Sequence, residues 1–210
     1  GCDLWVEVTG ISLPGLGCKG KADTMLVLDR SGSISVAEMT TLKNAANAFV
    51  TAMNLSTDGA HMGSVSFSTE ATLDAHLTDN AATVQAAINA LVSTSLTNLE
   101  AAILTATGEL ANPGDSHDRA DGDSPDFMVI ITDGAPTASN GPFSDSVDAA
   151  NAATAAKTAG IEIYVVGVGT TAGTADYLKN SIATNAAHYF DAADFAALQA
   201  ILQGLASCTP

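Results

Sequence analysis

The 210 residues predict a doubly wound α/β domain, in which helices flank a mostly parallel central sheet with one antiparallel edge strand. Three observations predict it. Short unbroken apolar runs, of the kind buried on both faces of a parallel sheet, recur at TMLVLD (24–29), DFMVIITD (126–133) and IEIYVVGVG (161–169). Segments with apolar residues at three- and four-residue spacing alternate with them. Hydrophobic residues make up 47% of the chain and charged residues 14%, a balance that supports one sizeable core.

Residues 1–20 stand apart: DLWVEVTGISL alternates like a strand, and the Gly/Pro-rich PGLGCKG follows. They read as a peripheral strand and linker ahead of a domain over 21–210. After the first apolar strand, a helix is predicted from Val36 to Met53, with Val36, Met39, Leu42, Ala46, Phe49, Val50 and Met53 on one face. Ser35 and Glu38 spell a capping box at its start. MGSVSFST (62–69) and ATLDAHLT (71–78) are close enough for a hairpin, which supplies the antiparallel strand. NAATVQAAINAL (80–91) reads as a helix, and a second is expected directly after it from Thr97 to Leu110, with Thr97 and Glu100 as its capping box. Beyond DFMVIITD, SDSVDAANAATAAKTAG (144–160) is a helix closed by Gly160. IEIYVVGVG, a short helix near 175–180, a strand at AHYFD (187–191) and a helix from Asp194 to Ala206 complete the order. In such sheets ligands bind at the carboxyl ends of the strands.

Acidic residues number 23 against 7 Lys plus Arg, a formal charge of −16. A surface of that sign repels phosphate backbones and anionic membranes, so nucleic acid is excluded as a partner and cations or basic protein patches are favoured. No run of 18 apolar residues exists to span a bilayer. There is no P-loop and no H-E-x-x-H pair, and His61, His76, His117 and His188 lie on unrelated segments as structural or surface residues. The three cysteines, Cys2, Cys18 and Cys208, lack the paired spacing of a zinc site, and a terminal disulfide is the better reading.

The stretch VLDRSGSIS (27–35) carries the functional signal. One helix needs one N-cap, and Ser35 supplies it, which leaves Ser31 and Ser33 without that role. Asp29, Ser31 and Ser33, at alternate positions of an extended segment, can point to one side. One carboxylate and two hydroxyls suit a hard divalent ion such as Mg2+, which takes six oxygen ligands and often keeps waters. Asp133 at the end of a second strand and Thr97 at a helix start bring further oxygen to the same end of the sheet. A phosphoryl-transfer enzyme would need a second acidic ligand or a nucleophile beside Asp29, where this loop has Arg30 and serines. Catalysis is not expected.

These segments resemble the von Willebrand factor A domains, which include the inserted domains of integrins and the anthrax-toxin receptors. The match is to the metal-ion-dependent adhesion site: D-x-S-x-S as Asp29, Ser31 and Ser33, then Thr97, then the aspartate of ITDG as Asp133, within a likeness that runs from Asp23 to Cys208. The resemblance implies Mg2+, with Mn2+ or Ca2+ as alternatives at the same site. Ser31 and Ser33 would bind it directly, Thr97 directly or through water, and Asp29 and Asp133 through water. An Asp or Glu carboxylate of a partner protein would complete the shell. The implied function is extracellular or cell-surface adhesion, with the loops 134–143 and 169–175 setting specificity. Two alternatives stay open: a pilus or filament subunit assembled through residues 1–20, and an intracellular partner of an ATP-driven chelatase or remodelling machine. In this topology Cys18 and Cys208 are expected to meet at the end away from the metal, in an oxidising compartment, with a Cys2–Cys208 pairing as the alternative. The acidic loop GDSHDRADGDSPD offers Asp115, Asp118, Asp121, Asp123 and Asp126 either as a second, calcium-binding cluster or as a solvated surface.

Overall fold

A computed structural model describes Leu16, residues 20–111 and residues 117–207. Among these residues six strands, β1 (Ala22–Asp29), β2 (Ala60–Phe67), β3 (Ala71–Thr78), β4 (Asp126–Thr132), β5 (Glu162–Val168) and β6 (Tyr189–Ala192), form one sheet in the order β3-β2-β1-β4-β5-β6. All neighbours are parallel except β2 and β3, so the hairpin supplies the antiparallel edge. Among the described residues six α-helices accompany them: α1 (Val36–Ala52), α2 (Ala81–Asn89), α3 (Leu99–Leu110), α4 (Asp145–Thr158), α5 (Ala172–Tyr177) and α6 (Phe195–Ala206).

Strand alternation divides the core into two layers. Leu26, Leu28, Val129, Ile131, Val166 and Val168 face one side with Leu42 and Phe49 of α1, Ile88 of α2 and Leu202 of α6. Met25, Val27, Met128, Ile130, Ile163 and Val165 face the other, against Ile103 of α3 and Ala153 of α4. Burial on both faces explains the unbroken apolar runs. The Ser35–Glu38 capping box is formed in both directions, and Gly160 follows α4 at φ +99.

Two details differ from expectation. A loop over 90–98 separates α2 from α3, and the N-cap of α3 is Asn98, whose side chain accepts from the Ala101 N–H; Thr97 caps nothing. A single π-type turn, Leu178–Ile182, extends α5. The predicted N-terminal strand and the cysteines Cys2, Cys18 and Cys208 lie outside the described residues, although Leu16 is buried in the layer under α1 and α6. No helix among the described residues is long and apolar enough to cross a membrane.

The order of strands creates a crevice at one end of the sheet. From β1 the chain proceeds to β2 on one side, while β4 pairs with the other side of β1. Loops leaving the carboxyl ends of β1 and β4 therefore diverge around this crevice, the position at which doubly wound sheets bind ligands.

Candidate metal centre

β1 ends at Asp29 and β4 at Thr132, side by side at that crevice. Asp29 is fully buried, and its carboxylate is held on both oxygens. Oδ1 accepts the Ser31 N–H at 2.8 Å, and Oδ2 accepts the Thr132 hydroxyl at 2.6 Å. The hydroxyls of Ser31 and Ser33 lie 3.0 Å apart, and Ser33 Oγ donates to Asp133 Oδ1 at 3.0 Å. Four of the five predicted residues are thus joined in one local network. Thr97 lines the same concavity, of about 400 Å³, together with Ser31, Ser33, Ser95, Asp133 and Thr137.

Backbone hydrogen bonds place these side chains. The Gly32 N–H donates to Ser95 O at 2.9 Å and the Thr94 N–H to Arg30 O at 2.7 Å, joining the β1 loop to the loop before α3. A Cβ at Gly32 would stand 3.1 Å from the Ser95 carbonyl oxygen, so the absence of a side chain allows this approach. The Thr97 carbonyl accepts from Thr137 N–H at 2.8 Å, and the Thr97 N–H donates to the Thr137 hydroxyl at 3.0 Å. The expected specificity loop 134–143 is therefore tied directly to Thr97.

Two buried carboxylates shape that loop: Glu100, expected only as a capping partner, and Asp148, to which the sequence reading gave no role. Glu100 Oε2 accepts the N–H groups of Asn140 and Gly141, at 2.5 and 3.1 Å. Asp148 accepts the Phe143 N–H and the Ser139 hydroxyl. Both sit in first turns, of α3 and α4, where helix dipoles favour negative charge. Their first-turn position was legible, whereas the loop partners of Glu100 lie about 40 residues away.

The electrostatics favour a cation. Burial pushes the Asp29 carboxyl up to about 6; the Thr132 and Ser31 hydrogen bonds oppose this and the Asp133 charge adds to it. Burial also raises Asp133, against the Ser33 hydrogen bond, and the charge of Glu38 adds to the rise. The donor set is all oxygen, with neutral hydroxyls foremost and carboxylates behind, which fits a hard divalent ion rather than a nitrogen- or sulfur-seeking one.

At the opposite end of the sheet, the acidic loop is only partly gathered. Asp118 and Asp126 come together with Asp23, a residue absent from the expected set, while Asp121 and Asp123 are exposed. Asp115 lies outside the described residues. Burial, then the charges of Asp118, Asp121 and Asp23, push the Asp126 carboxyl up to about 8. Nearby, the His76 ring stacks on His117 with centroids 4.3 Å apart, and its Nδ1 lies 3.1 Å from both oxygens of buried Glu109.

Comparison with known proteins agrees with this architecture. The family description "von Willebrand factor type A domain" matches residues 23–204. A UPF0353 protein of Mycolicibacterium paratuberculosis is 32% identical over 168 residues, 75% of this chain and 47% of that protein; the chain spans about half the length of this relative. Among solved structures, the vWF domain of the type V pili tip protein Mfa5 from Porphyromonas gingivalis superposes with a TM-score of 0.74 at 16% identity, over 89% of this chain and 94% of that one. Proximal thread matrix protein 1 from the mussel byssus, solved with zinc in its metal-ion-dependent adhesion site, gives a TM-score of 0.67 at 22% identity, over 90% of this chain and 46% of that one. At such identities the structures speak for the fold alone, but the family match covers most of the sequence, and this chain belongs to the von Willebrand factor type A domain family.

Proposed function

We propose that this domain is an extracellular or cell-surface adhesion module that grips a carboxylate of a partner protein through a divalent cation, Mg2+ in the first instance. The observation that carries this reading is the network of Asp29, Ser31, Ser33 and Asp133 along an open concavity shared with Thr97. Ser31, Ser33 and Thr97 would hold the ion, and Asp29 and Asp133 would orient its waters. Such a cation, held by few protein charges, keeps the capacity to accept an external anion.

The chain's own residues supply the rest. Asp29 stays fixed by two hydrogen bonds while the three hydroxyls face the opening. The loop 134–143, tied to Thr97 and Glu100, forms the wall that a partner would meet. The formal charge of −16 makes a broadly acidic partner unfavourable, so recognition rests on a single carboxylate within a neutral or basic surface. The resemblance in fold to a pilus tip domain and a byssus matrix protein supports placement at a surface or in a matrix.

The test is calorimetric titration with Mg2+ of the native chain and of Ser33→Ala and Asp133→Ala. Ser33 is exposed and Asp133 half-buried, so both variants should fold. Each should lose measurable Mg2+ binding, and with it chelator-sensitive capture of peptides that carry Glu but not Gln. Unchanged Mg2+ affinity in both variants would refute the assignment.

A further inference from the structure

We propose that Asp23, Asp118 and Asp126 form a calcium site at the opposite pole of the sheet from the adhesion concavity. The register of β1 and β4 pairs Asp23 directly with Asp126. Neighbouring strands lie about 4.8 Å apart, and like charges set opposite one another destabilise a sheet. Asp118 enters from the loop before β4, and one carboxylate oxygen from each of the three residues lies within 4.8 Å of the other two. The sheet and the loop thus concentrate negative charge where ordinary packing would disperse it.

Arg119 offsets part of that charge through Asp23. Its Nε and Nη2 reach Asp23 Oδ1 at 2.9 and 2.7 Å, and the Arg119 N–H reaches Oδ2 at 3.0 Å. Three carboxylates and one guanidinium leave a charge of −2 (−3 + 1) when all are ionised. A divalent ion cancels that balance.

A second, independent observation comes from Asp126. The residue is 5% exposed, and Oδ1 is buried with no hydrogen-bond partner. A buried carboxylate oxygen left without a donor is costly, and native structures rarely tolerate one. A cation coordinated by this oxygen satisfies it, in a position that no protein donor fills.

The cluster is also held in place. Both chain neighbours of Asp118 are anchored: His117 stacks on His76, and Arg119 bonds to Asp23 and to Ala22 O. The N–H groups of Asp123 and Ser124 both donate to Ala120 O, forming a tight turn just before β4. Several carboxylates in an irregular cage suit calcium, which takes six to eight oxygens in flexible geometry, whereas magnesium demands a near-octahedral shell and retains its waters. The absence of nitrogen and sulfur ligands from the three-carboxylate cluster argues against zinc.

The experiment uses the full chain carrying Ser33→Ala and Asp133→Ala, so that the other site contributes no heat and its assignment does not affect the outcome. Calorimetry should find a single equivalent of calcium bound, more tightly than magnesium. Adding Asp118→Asn or Asp126→Asn, isosteric changes that remove one charge, should weaken calcium by about tenfold or more, because ligand charge sets affinity in such sites. Adding Asp123→Asn, at an exposed position, should change nothing. Calcium should raise the melting temperature of the parent chain but not of the Asp126→Asn form, a readout that serves even if Asp118→Asn fails to fold. No calcium binding by the parent chain, undiminished binding by the Asp126→Asn form, or magnesium binding as tight as calcium would overturn the proposal.

Discussion

Replacing Thr132 by valine keeps the shape of the β4 end and removes the hydroxyl that donates to Asp29 Oδ2 at 2.6 Å. A hydrogen bond to a charged group contributes about 1.5–3 kcal/mol, or about one to two pK units. Asp29 already sits near 6 because of burial, so the substitution should carry it to about 7–8. The sign follows from which form each state needs. Without metal, Asp29 relieves the loss by taking a proton; with metal bound it must stay ionised, so the proton competes with the ion. Mg2+ affinity should therefore fall about two- to tenfold at pH 7 and about five- to fiftyfold at pH 6, and should match the native chain at pH 9. In the native chain the same competition should weaken Mg2+ binding as pH drops through about 6. Calorimetric Mg2+ titrations of both proteins at the three pH values provide the assay. A loss that is the same at every pH would mean that Thr132 acts through shape, and no loss at pH 6 would refute the electrostatic role given to Asp29.

Asn98→Ala removes the N-cap of α3 together with the side-chain bonds to Thr69 O and Asn140 Oδ1, and should cost about 1–2 kcal/mol in urea unfolding. Thr97→Ala, by contrast, removes no cap and should cost less stability than Asn98→Ala while lowering Mg2+ affinity, a pair of measurements that separates the two neighbours. Gly63→Ala would bring a Cβ to 2.8 Å from the Ala75 carbonyl oxygen and 2.6 Å from Met25 Sδ. It should destabilise the β2–β3 edge by about 1–3 kcal/mol, seen as a lowered urea midpoint.

Much of the fold was legible because both kinds of element carry strong periodic signals. β1, β4 and β5 are apolar throughout most of their length, and α1 repeats its buried residues at helical spacing between a capping box and Met53. The nearness of Asp29, Ser31, Ser33 and Asp133 was legible for a related reason, since strand ends in this topology converge without any detail of packing. What could not be read depends on register and on loop closure. Asp23 meets Asp126 because β1 and β4 align residue by residue across about 100 positions of sequence, an alignment that no local pattern encodes. Thr97 and Asn98 are both acceptable N-caps, and tertiary bonds from Thr137 to Thr97 decide between them. Glu100 looked like the partner in a capping box, yet its carboxylate turns to the backbone of Asn140 and Gly141.

The proposed function requires Asp29, Ser31, Ser33, Thr97 and Asp133 to gather around one doubly charged ion. Crystals soaked in Mn2+ and recorded at its absorption edge test this most directly. One strong anomalous peak is expected in the concavity, within coordination distance of the Ser31, Ser33 and Thr97 hydroxyl oxygens. An ordered concavity without that peak, at a manganese concentration that saturates the protein in solution, would contradict it.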